Sequence, residues 1–185
     1  VDAFLSAGNT GACVAAGSLF LRRLKGVKRP GIAAAFHTGT NPVVLIDVGA
    51  NVHGRPEHLI QYGVMASIYA EEVLDVQDPR VGLLNVGEED EKGSELVKKT
   101  HQLFQNTDIN FVGNVEGADL FKTNVEVVVC DGFVGNIVLK VSEGLAENLK
   151  ALAADAIRWR IDSLPNKQEV GLAVRRAFVD LEKRI

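Results

Sequence analysis

At 185 residues, with 46% hydrophobic and 24% charged side chains, the chain is long enough for one α/β domain with a sizeable core. The net charge of −4 is uneven, because residues 151–185 carry seven Lys/Arg against five Asp/Glu and leave −6 on the first 150, which excludes nucleic acid as a partner. No run of about 18 apolar residues is present for a membrane span, no signal peptide opens the chain, and the two cysteines, Cys13 and Cys130, form neither a C-x-x-C pair nor a disulfide framework, as expected in a reducing cytoplasm.

The chain opens inside a strand pattern at Phe4-Leu5 without a start methionine and closes on a charged helix, which predicts an internal piece of a longer chain. After the polar stretch Ser6-Ala7-Gly8-Asn9-Thr10-Gly11, a helix is expected over Gly11 to Leu24, with Gly26 as its carboxyl-terminal cap. Ile32 to Phe36 reads as a strand that breaks into a turn. A buried strand, Val43 to Asp47, follows. Pro56 suits a first helical position and Glu57 a first turn, so Pro56 to Leu74 is a helix, with Leu59, Ile60, Val64, Met65 and Ile68 expected inside. Arg80 to Val86 is a strand, and Ser94 caps a helix to Gln105 whose core stripe is Leu96, Val97, Thr100, Leu103 and Phe104. Strands at Ile109 to Val112 and Val125 to Cys130 complete a β-α-β rhythm. From Ile137 the chain is helical, and a break at Ser163-Leu164-Pro165-Asn166 divides residues 137–185 into a helical hairpin within the single α/β domain.

The organising stretch is Val127-Val128-Val129-Cys130-Asp131-Gly132-Phe133-Val134-Gly135-Asn136. Continuous valines suit a strand covered on both faces, the habit of parallel sheets, and such sheets place ligands at the carboxyl ends of their strands. The same strand, polar loop, helix order recurs at Gly8 to Gly11, at Asp47 to Asn51 and at Asn85 to Glu88, so a doubly wound, mostly parallel sheet is predicted to bring four loops to one edge. Two of these loops are Gly-x-x-Gly segments before a helix, where backbone N–H groups and the helix dipole can face a small anion or a phosphate. Dinucleotide and nucleoside triphosphate fingerprints are missing, and no cofactor is expected. His53 and His58, with Pro56 between them, have neither helical i, i+4 nor zinc-finger spacing, so no metal site is assigned and surface or capping roles are expected. Cys130, at the end of a core strand, reads as a small hydrophobe rather than a nucleophile. Lys92, in the acidic loop Glu88 to Glu95, lies on the edge of the glycine loops, where a cation would face the anion.

Five motifs in order, Ser6-Ala7-Gly8-Asn9-Thr10-Gly11-Ala12, Asp47-Val48-Gly49-Ala50-Asn51 with Pro56-Glu57-His58-Leu59, Arg80 to Gly87, Asn110 to Glu116, and Asp131-Gly132-Phe133-Val134-Gly135-Asn136, resemble those of the bacterial phosphate acyltransferase family, PlsX, over residues 1 to about 150. The resemblance implies a fold similar to phosphotransacetylases and isopropylmalate dehydrogenases. It implies an enzyme that moves a fatty acyl group from acyl carrier protein to inorganic phosphate, giving acyl phosphate for phospholipid synthesis. The family's opening Asp-x-Met-Gly-Gly-Asp motif and its closing Tyr-Gly-Gly-Ala-x-x-x-Gly segment have no match in this chain.

Phosphate is already a nucleophile and a thioester is already activated, so such an enzyme mainly positions reactants and stabilises charge, and no nucleophilic side chain is needed. On that reading Lys92 stabilises phosphate or the tetrahedral oxyanion and Asn136 donates to the thioester oxygen. Ser6, Gly8, Asn9, Thr10, Gly11, Asp47, Gly49, Asn51, Asp131 and Gly132 bind phosphate or substrate, with Asp47 and Asp131 orienting donors. The basic cluster Arg22, Arg23, Lys25, Lys28 and Arg29 is either a solvated helix end or a docking patch for the acidic carrier. Cations interleaved with Trp159, Ile161 and Leu164 near the hairpin turn have the composition of a membrane-surface contact. The partners expected are therefore acyl carrier protein, inorganic phosphate, a membrane surface bound weakly from the cytoplasm, and a second copy in a homodimer. The alternatives are an oxidoreductase of the isopropylmalate dehydrogenase type and a non-catalytic acyl-carrier-binding module.

Overall fold

The computed structural model describes residues 6–37, 42–122, 124–162, 164 and 166–182. The strand expected at Phe4-Leu5 lies outside them. The chain divides into two compact units, residues 1–139 and 140–185.

The first unit is built on a five-stranded sheet of β1 (Ala33–His37), β2 (Pro42–Ile46), β3 (Val81–Leu84), β4 (Phe111–Val115) and β5 (Val127–Val129) in the order β1-β2-β5-β3-β4. All neighbouring pairs are parallel except β1 with β2, so β1 is an antiparallel edge. The chain order and pleat explain why the strand sequences are almost purely apolar. Val44, Ile46, Val127 and Val129 face one layer with Leu59, Tyr62, Ala66 and Phe104, while Val43, Leu45, Val128 and Cys130 face the other with Leu120, Val138 and Leu139. Fully burying a side chain of this size stabilises by about 1.5–3 kcal/mol, so the sheet needs both helical layers.

Helices α2 (Pro56–Leu74) and α3 (Glu95–Phe104) cover the first face. Pro56 opens α2, and the Ser94 hydroxyl caps α3 by accepting from Val97 N at 3.3 Å, both as expected. The buried stripe of α2 differs from the expected one. Leu59, Tyr62, Gly63, Ala66 and Ala70 face the core, whereas Val64 and Ile68 are exposed. Small residues win because α2 approaches α3 closely; a Cβ at Gly63 would stand 2.8 Å from the Phe104 ring. In α3, Leu103 is exposed and His101 takes its place inside.

Preceding the sheet, α1 (Thr10–Ala16) continues into a π-helical turn, Gly17–Leu21. The helix expected to Leu24 stops at Leu21, since Arg22 adopts a left-handed φ of 63° that no helix continues through. Outside the sequence's obvious signals, buried Glu126 at the base of β5 accepts from Arg80 N at 2.9 Å, Nε at 3.1 Å and Nη2 at 2.6 Å, which ties β5 to β3. These bonds outweigh burial and hold the Glu126 carboxyl below the usual carboxylate range.

The boundary of the second unit falls within α4 (Gly132–Asp162), and α5 (Lys167–Glu182) follows. Ile157 and Ile161 of α4 and Leu172 and Phe178 of α5 line a common cavity, so the two helices form the arms of a hairpin.

Candidate functional site

Strands β2, β5 and β3 are parallel neighbours, and in register Ile46 pairs with Val129 and Val129 with Leu83. Their carboxyl ends are therefore level, and the loops after them share one edge of the sheet. The Gly8 loop is the fourth of the expected set, and the strand expected to bring it there lies outside the described residues.

The Asp47 loop is organised by its own carboxylate. Asp47 is fully buried; Oδ1 accepts from Ile32 N at 3.1 Å, Gly49 N at 3.1 Å and Ala50 N at 2.9 Å, and Oδ2 accepts from Asn51 N at 2.8 Å and Nδ2 at 3.2 Å. A carboxylate enclosed in N–H groups needs no cation beside it. Asn51 Nδ2 also donates to Pro30 O at 2.6 Å and Tyr62 Oη at 2.8 Å, so the loop is held from α2 as well. Burial and then the Asp47 charge keep the Tyr62 phenol far above its ordinary pKa, protonated. Gly49, at φ 138°, occupies backbone space that a side chain rarely adopts.

Against this loop lies the start of α4. Gly132 N donates to Asn51 O at 3.0 Å, and a Cβ at Gly132 would meet Asn51 backbone at 2.8 Å. A Cβ at Gly135 would run into Asp47 O and come within 2.9 Å of Cys130 Sγ. The Gly-x-x-Gly spacing thus puts two glycines on the helix face that touches the Asp47 loop. Asp131 Oδ1 accepts from Phe133 N at 2.9 Å and Val134 N at 3.1 Å and caps α4. Asn136 is exposed above Gly49, whose Cβ would stand 3.6 Å from Asn136 Oδ1, and among the described residues its amide has no hydrogen-bond partner. Cys130 is buried, and burial first, then the Asp131 and Asp47 charges, drives its thiol pKa far up. That agrees with a small hydrophobe and not with a nucleophile.

Lys92 sits in the loop after β3, half exposed, with Nζ 2.8 Å from Glu89 Oε1. Its hydrogen bond to Glu89 raises the Lys92 pKa and lowers that of Glu89, so the cation persists at neutral pH. Sequence reasoning missed what fixes this loop. Asn114 on β4 donates from Nδ2 to Glu89 O at 3.0 Å, while its Oδ1 is 3.0 Å from Nδ1 of buried His101. Asn85 Nδ2 donates to Gly87 O and Lys92 O, each at 3.1 Å. Lys92 therefore sits in the loop that follows β3, and Asn136 near the start of α4, the helix that follows the adjacent strand β5.

The Gly8 loop closes on itself. Asn9 caps α1 by accepting from Ala12 N at 3.2 Å, and Ser6 Oγ donates to Gly8 O at 2.9 Å. Ser6, Gly8 and Thr10 border an apolar cavity of about 770 Å³ lined also by Val14, Phe20, Leu24 and Met65. The basic cluster is divided. Arg23 donates to Lys28 O, Lys28 Nζ is 3.6 Å from Glu57, and Arg22 and Lys25 are exposed. His58, expected on the surface or as a cap, is buried in the first turn of α2 at 9% exposure, because the helix must turn that side toward the chain.

Comparison with known proteins adds a family and a fold. Residues 1–166 match the family model described as "Fatty acid synthesis protein". The chain is similar to proteins named phosphate acyltransferase from Geotalea uraniireducens (48% identical over 99% of this chain and 52% of that one). Those from Geobacter sulfurreducens (47%, over 100% and 52%) and Nitratidesulfovibrio vulgaris (53%, over 78% and 42%) bear the same name. The chain thus spans about half the length of these relatives. Among solved structures, the EutD phosphotransacetylase from Staphylococcus aureus superposes with a TM-score of 0.55 at 17% identity, over 71% of this chain and 46% of that one, a likeness of fold.

Proposed function

Because the chain belongs to the fatty acid synthesis protein family, we propose that it carries catalytic loops of an acyltransferase that moves a fatty acyl group from acyl carrier protein to inorganic phosphate, forming acyl phosphate for phospholipid synthesis. The observation that carries this reading is the placement of a persistent cation, Lys92, in the loop after β3 and of an exposed amide, Asn136, without a hydrogen-bond partner among the described residues, near the start of α4 after the neighbouring strand β5. In the reaction a phosphate oxygen attacks the thioester carbonyl carbon, an acyl–oxygen bond forms, and the carbon–sulfur bond breaks. The sulfur leaves as thiolate and takes up the proton that monohydrogen phosphate gives up. Asn136 Nδ2 and Lys92 Nζ are the donors for the transient oxyanion, and the Gly8 to Gly11 loop helps hold phosphate, while the Asn51 donors are taken up by Asp47, Pro30 and Tyr62. The apolar cavity bordered by Ser6, Gly8 and Thr10 has the size and lining of a ligand pocket and is assigned to the acyl chain. Incubating intact protein with acyl-carrier thioester, with and without phosphate, tests the reading: phosphate-dependent thiol release with trappable acyl phosphate is expected, and phosphate-independent release would overturn it.

The docking patch for the carrier is placed on the exposed part of the basic cluster. Charge reversal of Arg22, Arg23 and Lys25 should raise the apparent KM for acyl-carrier substrate about 10-fold at low salt and less at high salt. Unchanged KM and salt dependence would place docking elsewhere.

No helix among the described residues is long and apolar enough to cross a membrane. Surface contact is assigned to the hairpin turn, where Trp159 is 75% exposed and Leu164 38% exposed beside Arg158 and Arg160. Anionic lipid adds about 1 kcal/mol per nearby cation, which predicts weak, salt-sensitive, peripheral attachment at the cytoplasmic face. Sedimentation with anionic vesicles should fall several-fold in a Trp159→Ala, Leu164→Ala variant; equal sedimentation would leave the turn without that role. The assembly is proposed to be a homodimer, which sedimentation velocity reads directly.

A further inference from the structure

Beside the first turn of α2 lies a cavity of about 440 Å³ lined by Arg29, Asn51, Val52, His53, Arg55 and His58. Four of the six can carry positive charge, on a chain whose net charge is negative. Among the described residues Arg29 and Arg55 have no carboxylate partner, and the nearest acidic side chain in sequence, Glu57, is engaged by Lys28 at 3.6 Å. His58 is 9% exposed, yet among the described residues its Nδ1 has no hydrogen-bond partner, an exception that calls for one at this cavity. The helix terminus itself offers little, because His58 N and Leu59 N both donate to Arg55 O, at 2.9 and 3.2 Å. The attraction therefore comes from side chains. Burial lowers the His58 pKa; the Glu57 carboxylate pulls it up, and the nearby Arg29, Arg55 and Lys28 charges push it down again.

We propose that this cavity binds a phosphate group. Two guanidinium forks and two imidazoles at one cavity offer many N–H donors, which suits a tetrahedral oxyanion with several oxygens better than a halide or a single carboxylate. The room left beyond the anion admits a substituent, so the group can be inorganic phosphate or the phosphodiester of a carrier's pantetheine arm. The site is separate from the Gly8 loop. It rests on the proposed acyl transfer only for these two candidate sources.

Histidine C2–H proton NMR with the signals of His37, His53, His58 and His101 assigned reads binding without turnover. Titration with inorganic phosphate, and separately with pantetheinylated carrier, at constant ionic strength should shift the His53 and His58 signals saturably while those of His37 and His101 stay still. Arg55→Gln, whose side chain is exposed, should weaken the affinity about 10-fold or more, and His58→Gln should do the same. Saturation by inorganic phosphate makes the cavity a second phosphate site beside the Gly8 loop, and saturation by the carrier alone assigns it to the donor's arm. Shifts shared by all four histidines, no shift with either ligand, or equal affinity in Arg55→Gln overturns the site. Lys92→Ala should leave this binding unchanged, so failure of the cavity and failure of the proposed transfer reaction are distinguishable.

Discussion

Lys92→Ala and Asn136→Ala are each expected to lower turnover about 100-fold while the protein stays folded, the scale found when one donor to a developing oxyanion is removed. Both side chains suit a role that appears only with substrate. Among the described residues Asn136, exposed over Gly49, has no hydrogen-bond partner to lose, and Lys92 gives up its surface pairing with Glu89. Stability should move little, since surface pairs of this kind contribute at most a small amount. If the two side chains act on the same oxyanion, the double variant will fall by less than the product of the single effects, because each donor has less to stabilise once the other is gone. The measurement is kcat with saturating acyl-carrier thioester and phosphate, beside circular dichroism spectra of each variant. Turnover within a few-fold of wild type in both folded variants would remove these residues from the chemical step.

The second large effect is on stability. Asp47→Ala should destabilise the first unit by about 3–5 kcal/mol, because it removes the acceptor for four backbone N–H groups and the Asn51 amide and leaves them buried together. For a domain of this size that is a fall in Tm of roughly 10 °C. The damage should extend beyond one loop. Asp47 holds Ile32 at the start of β1, orients Asn51 toward Tyr62, and shares its carbonyl with the close approach of Gly135 in α4. Asp47→Asn keeps the shape and one acceptor oxygen but turns an NH2 group toward donors, so its loss should be smaller but of the same sign. Thermal unfolding by circular dichroism decides between this account and a catalytic one. A variant that melts within two degrees of wild type would mean that the loop stands without its carboxylate.

What was legible in the sequence followed local rules. Continuous valines at residues 127–129 required a strand covered on both faces, Pro56 and Ser94 marked two helix starts, and the strand, polar loop, helix order forced loops to the carboxyl edge of a parallel sheet. Those signals act within a few residues, so the chain carries them wherever it sits. The tertiary structure decided the rest. The α2 stripe uses Gly63, Ala66 and Ala70 rather than Val64 and Ile68 because Phe104, supplied by α3, leaves no room for a larger contact at Gly63. Asn114 and His101 secure the Lys92 loop through partners on different elements, a pairing that no spacing announces. The edge strand β1 runs antiparallel because its direction depends on which neighbour it meets, a choice open in the sequence. His58 read as a surface or capping residue on spacing alone; the fold makes it a buried imidazole and sets Arg29, remote in the chain, at one cavity with it and its sequence neighbour Arg55. Apolar periodicity fixes which side of a strand or helix can be buried, but charge convergence also depends on where whole elements pack: His53, Arg55 and His58 are neighbours in sequence, and only the fold adds Arg29 to them.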